Sequence, residues 1–376
     1  MRNSKINERP NLLKSTRDRN VNSEVAGLFD SSRLRKISAI STADKPERLT
    51  RYCYRAFDRQ WVLLDARVGD YFRPDLIYSY SSAQVYFCQL QSHPLAHGPG
   101  IIAAAHIPDR HIFRGSYSGK DIIPFFRDGE CRNVNITYNL LNSLGSHLNI
   151  DVEAGTCAAY VYALLANQTY TQRFWNELET PGPRVPVTKD PDLFAEAAAL
   201  GRRLIWLHTY AERFQGEGRG DEVPAGRAKC LQAVPDDPKR YPETYSYDPT
   251  RREIHVGEGR FGPVAPEVWG FEVSGLKVVQ SWLGYRMKKR AGKKSSPLDD
   301  IRPERWTPQM TDEFLELLWV LEATLAMEPQ LADVLDRVVA GPCFTEDELP
   351  APTEAERKPP AGAAQPGDQY SLMDDD

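Results

Sequence analysis

The stretch Val273-Ser-Gly-Leu-Lys-Val-Val-Gln-Ser-Trp-Leu-Gly-Tyr-Arg-Met-Lys-Lys-Arg-Ala-Gly-Lys-Lys-Ser-Ser296 changes character halfway along. Leu276, Val279 and Leu283 fall at i, i+3 and i+7, and Val278 and Trp282 widen that face, so the first half predicts an amphipathic helix. Arg286, Lys288, Lys289, Arg290, Lys293 and Lys294 follow with no acid among them. A buried helix that ends in such a run holds cations in a fixed place, as a phosphate backbone requires. Gly292, Ser295 and Ser296 add backbone and hydroxyl donors suited to phosphate. A solvated basic loop has the same composition, so the run marks a candidate site.

Outward from this stretch the chain reads as mixed α+β. An aromatic-rich β segment comes first, and a mainly helical region follows. Tyr52, Tyr54, Phe57, Trp61 to Leu64, Tyr71 and Phe72 predict short strands, as do Ser79 to Phe87 and Ile101 to Ile107. Pro108-Asp-Arg-His111 predicts a turn, with a further short strand beginning at Ile112-Phe113. A helical stretch is expected from Asp151 to Glu179. Asp190 before Pro191 predicts an N-cap with proline at N1, opening a helix to about Phe214. Residues 215–236 predict a loop, Tyr241 to Phe261 short strands, and Thr311 to Val339 a pair of helices.

Residues 1–48 carry eleven Lys and Arg against six Asp and Glu, and are expected to form a basic arm or the edge of an upstream domain. Residues 49–345 are the expected functional domain. Residues 346–376, rich in Pro, Ala and Asp, are expected to be a disordered acidic tail. A net charge of −5 over 376 residues excludes a uniformly basic nucleic-acid binder, but a local basic face on an acidic chain still fits DNA. The six cysteines show no CxxC pairing, which points to reduced thiols of a cytoplasmic protein. No apolar run is long enough to span a bilayer.

Four segments, taken in order, resemble one family. Tyr54-Arg-Ala-Phe-Asp-Arg-Gln-Trp61 resembles a YRPFDxRW motif, with Ala56 in place of the usual proline. Ala159-Tyr-Val-Tyr-Ala-Leu-Leu165 resembles the helix that precedes a PRxP…F…G…LH block, seen here as Pro183-Arg-Val-Pro186, Phe194, Gly201 and Leu207-His208. Ser274-Gly275, Val279, Trp282-Leu283 and Arg286 resemble the end of the target-recognition region of adenine-specific DNA methyltransferases. Lys293-Lys294-Ser-Ser-Pro-Leu-Asp-Asp-Ile-Arg-Pro-Glu-Arg-Trp306 narrows the resemblance to the C-terminal specificity domain of type ISP restriction–modification enzymes. This resemblance implies sequence-specific duplex DNA recognition. It also implies a methyltransferase module using S-adenosylmethionine and a helicase–nuclease module using ATP and Mg, in cis or in trans.

No catalytic, cofactor-binding or metal-binding residue is assigned to this chain. The Asn/Asp-Pro-Pro-Tyr/Phe loop that holds a flipped adenine is missing, and so is a GxxxxGK[ST] phosphate loop. Gly257-Glu-Gly-Arg-Phe-Gly262 matches GxGxxG, but Pro263 and Pro266 replace the helix start that motif needs, so a turn is expected. The DNA-contact candidates are Arg286, Lys288, Lys289, Arg290, Lys293, Lys294 and Ser295, with Arg110 and Arg114 in one loop and Arg55 and Arg59 in another. For Arg55 and Arg59 the favoured alternative is an ion pair with Asp58 that fixes the loop. His208 is expected to be a satisfied core histidine, and Trp175, Trp206, Trp282 and Trp319 core rings. Two rival functions stay open: the C-terminal fragment of an active adenine methyltransferase, and a protein-interaction scaffold that touches no DNA.

Overall fold

The computed structural model describes residue 15 and residues 21–28, 33–40, 48–69, 74–90, 97–113, 120–180, 182–216, 220–288 and 303–358. Among them the fold is mixed α+β, with small antiparallel sheets set around a helical centre. A short ribbon pairs β1 (Val25–Ala26) with β2 (Arg33–Leu34). The alternating aromatics then form a hairpin of β3 (Arg48–Arg55) and β4 (Asp58–Leu64), with Arg51 opposite Trp61. Its turn needs Phe57 at φ 61°.

The expected strand from Ser79 begins only at Tyr86. A short helix, α1 (Pro74–Tyr78), precedes it. The central strand β5 (Tyr86–Leu90) pairs with β6 (Ile101–Ala104) and β7 (Lys120–Pro124). Ile112 and Phe113 are fully buried but lie in a turn, not a strand.

The helices pack on this sheet. They are α2 (Tyr138–Leu148), α3 (Ala154–Leu165), α4 (Gln168–Arg173) and α5 (Pro191–His208). The helix expected over 151–179 breaks where Asn167 caps α4, its side chain accepting from Thr169 N–H. Asp190 caps α5 as expected, accepting from the N–H groups of Asp192 and Leu193 with Pro191 at N1. That helix ends at His208, where Tyr210 and Ala211 turn to positive φ, and does not reach Phe214. Gly201 lets α5 cross α3 closely: a Cβ there would come 1.8 Å from the Ala159 carbonyl oxygen.

A four-stranded sheet follows, in the order β8 (Lys229–Gln232), β11 (Gly259–Gly262), β10 (Glu253–Val256) and β9 (Tyr245–Asp248). The GxGxxG match falls on the β10–β11 turn and strand β11, with Gly257 at φ 54°. After α6 (Pro266–Trp269), Ser274 and Gly275 turn the ribbon of β12 (Glu272–Val273) and β13 (Leu276–Lys277) at φ 47° and 77°. Left-handed residues cannot continue a helix. The predicted helix therefore starts at α7 (Val278–Gly284) and not at Val273.

The pair of helices expected over 311–339 is one helix, α8 (Pro308–Ala340), with Pro329 inside it. An interior proline costs about 3 kcal/mol. Met327, Leu331, Val334, Leu335 and Val338 bury one continuous face across the proline. Each buried side chain contributes roughly 1.5–3 kcal/mol, so burial outweighs the lost turn. Residues 346–358 form two short turns ending in α9 (Glu354–Arg357). Pro350 and Pro352 line an apolar cavity of about 350 Å³ between β7, α2 and α3. The remainder of the expected tail, 359–376, lies outside the described residues. Among the described residues no helix is long and apolar enough to cross a membrane.

Candidate nucleic-acid interface

Helix α7 buries Val278, Val279, Trp282 and Leu283. The Trp282 ring stacks on Phe314 of α8 at 5.0 Å and meets Trp306 edge-on at 6.1 Å. One turn later the Arg286 guanidinium lies 3.5 Å above the Trp282 ring. Its Nη2 donates to Asp58 Oδ1 at 2.8 Å and its Nη1 to the Trp282 carbonyl at 3.0 Å. Both side chains of this ion pair are buried, 10% and 1% exposed. Low local dielectric makes such a pair strong once formed and costly to half-remove.

The backbone beyond Arg286 is tied down as well. Tyr241 Oη donates to the Arg286 carbonyl at 2.8 Å, and Lys288 N–H donates to the Pro242 carbonyl at 2.9 Å. Lys288 Nζ pairs with Glu243 at 3.0 Å in the open, a contact of about 0–1 kcal/mol. The chain re-enters the described residues at Pro303. There Arg305 meets Asp236 at 3.5 Å, and buried Trp306 donates from Nε1 to Thr311 Oγ1 at 2.9 Å. Both ends of the cationic segment are thus fastened to one packed body. Lys289, Arg290, Lys293, Lys294 and Ser295 lie between them, outside the described residues, as does Arg114.

Three sequence candidates sit away from solvent. Arg286 is committed to Asp58, so it belongs to the base of the cationic run and not to its charged surface. Arg55 is buried, paired with Asp109 at 3.0 Å and stacked 4.1 Å over Tyr54 and 5.2 Å over Tyr285. Arg59 pairs with Glu212 at 3.3 Å and with Glu316, and lies 3.5 Å over Tyr210. The ion pair suggested between Asp58 and Arg55 or Arg59 is replaced by these longer-range partners. Successive strand residues point to opposite faces, which sends Asp58 toward α7 and Arg59 toward α8. Arg110 is exposed in the turn after Asp109. The Tyr54–Trp61 motif is therefore a clamp: its charged side chains join the β3–β4 turn to α7, α8 and the end of α5.

His208 is a core residue, as expected. Tyr162 Oη accepts from Ala103 N–H at 2.8 Å and donates to His208 Nδ1 at 2.6 Å. His208 Nε2 then donates to Thr324 Oγ1 at 3.1 Å, which passes its own proton to the Val320 carbonyl at 2.8 Å. This chain assigns the neutral tautomer, and burial pushes the imidazole down to about 3. Trp206 and Trp282 are buried, whereas Trp175 and Trp319 are half-buried. All six cysteines are free thiols.

Sequence reasoning missed the partners of Asp58 and Arg286, which lie 228 positions apart. No local pattern announces such a pair. It also missed the role of Tyr241 and Pro242 in holding the segment's start, since the run from Tyr241 to Phe261 predicts only short strands; the first of these, β9, begins at Tyr245.

The sequence profile of the Type ISP C-terminal specificity domain matches residues 1–317. No curated protein matches the chain. Among solved structures, the fold is similar to that of a DrdV–DNA complex seen by cryo-EM, with 17% identity and a TM-score of 0.57 over 79% of this chain and 28% of that one. It is likewise similar to the ATP-dependent Type ISP restriction–modification enzyme LlaBIII bound to DNA, with 17% identity and a TM-score of 0.54 over 79% of this chain and 19% of that one. The chain thus spans less than a third of either relative. With the profile covering most of its length, the chain belongs to the Type ISP C-terminal specificity domain family.

Proposed function

We propose that this chain recognises specific sites on duplex DNA for a restriction–modification system. The observation that carries the reading is the cationic segment after α7, acid-free from Arg286 to Ser296 and fastened at both ends to a packed core. The family membership supports it. So does the DNA in the LlaBIII structure, a relative of the same architecture. In this reading Lys288, Lys289, Arg290, Lys293, Lys294 and Ser295 grip phosphates, and Arg110 and Arg114 add contacts from a second loop. An N6-adenine methyltransferase module using S-adenosylmethionine and an ATP- and Mg-dependent nuclease module do the bond-making. This chain supplies the choice of site.

A fluorescence-anisotropy titration of labelled random duplex at low and moderate salt tests the reading. Binding that weakens steeply with salt is expected. Absence of binding at low salt would return the chain to the scaffold reading.

A further inference from the structure

The four-stranded sheet packs one face on the core and leaves the other in solvent. Ile254, Val256 and Phe261 point inward and are fully buried, and Phe261 meets Phe314 edge-on at 4.9 Å. On the outer face, residues directly opposite one another line up across all four strands. Gln232 faces Arg260, Arg260 faces His255, and His255 faces Ser246. The row therefore offers an amide, a guanidinium, an imidazole and a hydroxyl. At a strand spacing of about 4.8 Å it is roughly 14 Å long.

Arg260 is held in place yet open. Its Nε donates to Gln232 Oε1 at 3.1 Å, and its Nη1 lies 3.5 Å from Glu253 Oε2. His255 Nε2 is 3.6 Å from the same carboxylate. The Arg260 and His255 side chains nevertheless keep 39% and 35% of their exposure. A guanidinium ordered from behind, with further N–H groups in solvent, suits bidentate recognition of a planar acceptor pair.

The charge of the row selects the ligand. Glu253 answers Arg260, and Asp248 stands opposite Glu253 on β9. A phosphate grip needs uncompensated cations, whereas base edges present donors and acceptors side by side and call for both. The sheet that carries the row is joined to the described start of the cationic run. The stretch leading into β9 binds Arg286 and Lys288 through Tyr241 and Pro242, and from the inner face of the sheet Tyr245 Oη donates to the Gln280 carbonyl of α7 at 3.1 Å.

We infer that the outer row Gln232–Arg260–His255–Ser246 reads base-pair edges of duplex DNA, with Arg260 as the specificity-determining residue for guanine and Gln232 as the residue that positions it. The inference rests on the DNA-recognition reading above. It divides the labour: the cationic segment grips, and the sheet discriminates.

The test is selection from a pool of randomised duplexes by the full chain and by Arg260→Ala, Arg260→Lys and Gln232→Ala, followed by anisotropy on the enriched duplex and a scrambled one. The unaltered chain should enrich a motif containing a G·C pair. Its preference for that motif should fall roughly 10- to 100-fold in Arg260→Ala. Arg260→Lys keeps the charge without the fork and should lose a comparable share. Thermal melting by circular dichroism should show all three variants folded. An undiminished preference for the same motif in a folded Arg260→Ala would overturn the inference and leave DNA recognition standing. An equal fold-loss on enriched and scrambled duplex would overturn it too, because it would mark Arg260 as a phosphate contact. If the unaltered chain enriches no motif, both the inference and the reading beneath it fall.

Discussion

Asp58 and Arg286 meet at 2.8 Å with almost no water around them. Removing one partner of a buried pair leaves the other charge without compensation, at about 3–5 kcal/mol. Asp58→Asn and Arg286→Met should each lower stability by that order in urea unfolding. A loss below about 1 kcal/mol would mean that water screens the pair. His208 makes a prediction of another kind. Its imidazole is neutral in the folded protein down to about 3 but titrates near 6.5 once unfolded. Between those values the unfolded state binds the extra proton. Stability should therefore fall as pH drops from about 6.5 toward 3, by up to roughly 1.4 kcal/mol per pH unit from this group. Urea melts at pH 7, 6 and 5 check it, with His208→Gln expected to show the shallower slope. At this scale the sequence disclosed residue types and not partners. His208 was legible as core because it closes an apolar helix face. Arg286 was legible only as part of a basic run, since its partner sits in the first hairpin.

At the scale of elements, local chemistry was legible and long-range packing was not. Asp190 and Pro191 announced the start of α5 to the residue, because capping is settled by neighbouring atoms. The length of α8 was not legible, because Pro329 looks like a boundary and only the buried face around it shows why the helix continues. Ile112 and Phe113 have strand-like side chains, yet burial in a turn satisfies the same apolar demand. Gly201 appeared only as one letter of a family block. The structure gives its reason in the close crossing of α5 over Ala159. Gly201→Ala gains helix propensity of up to about 1 kcal/mol, but it forces the two helices apart. A net loss of about 1–3 kcal/mol is expected in thermal or urea melts. An unchanged or raised melting temperature would show that the crossing relaxes without cost.

Across the whole molecule, three regions far apart in sequence build one base for a charged segment. The β3–β4 clamp holds Arg286, the lead into β9 holds the backbone through Lys288, and Trp306 closes the far side against Trp282. The chain's overall acidity does not oppose DNA binding, since charges beyond about 8–10 Å are screened at physiological salt. The central claim is that the segment between Lys288 and Pro303 grips phosphates. Lys293→Ala combined with Lys294→Ala tests it most directly, because Lys288 already has Glu243 as a partner. The measurement is the slope of log affinity against log salt concentration for random duplex. Each lost phosphate contact should reduce its magnitude by about 0.9, so the double variant should bind more weakly and flatten the slope by up to roughly 2, with stability nearly unchanged. An unaltered slope in a folded double variant would contradict the account and make the segment a solvated loop.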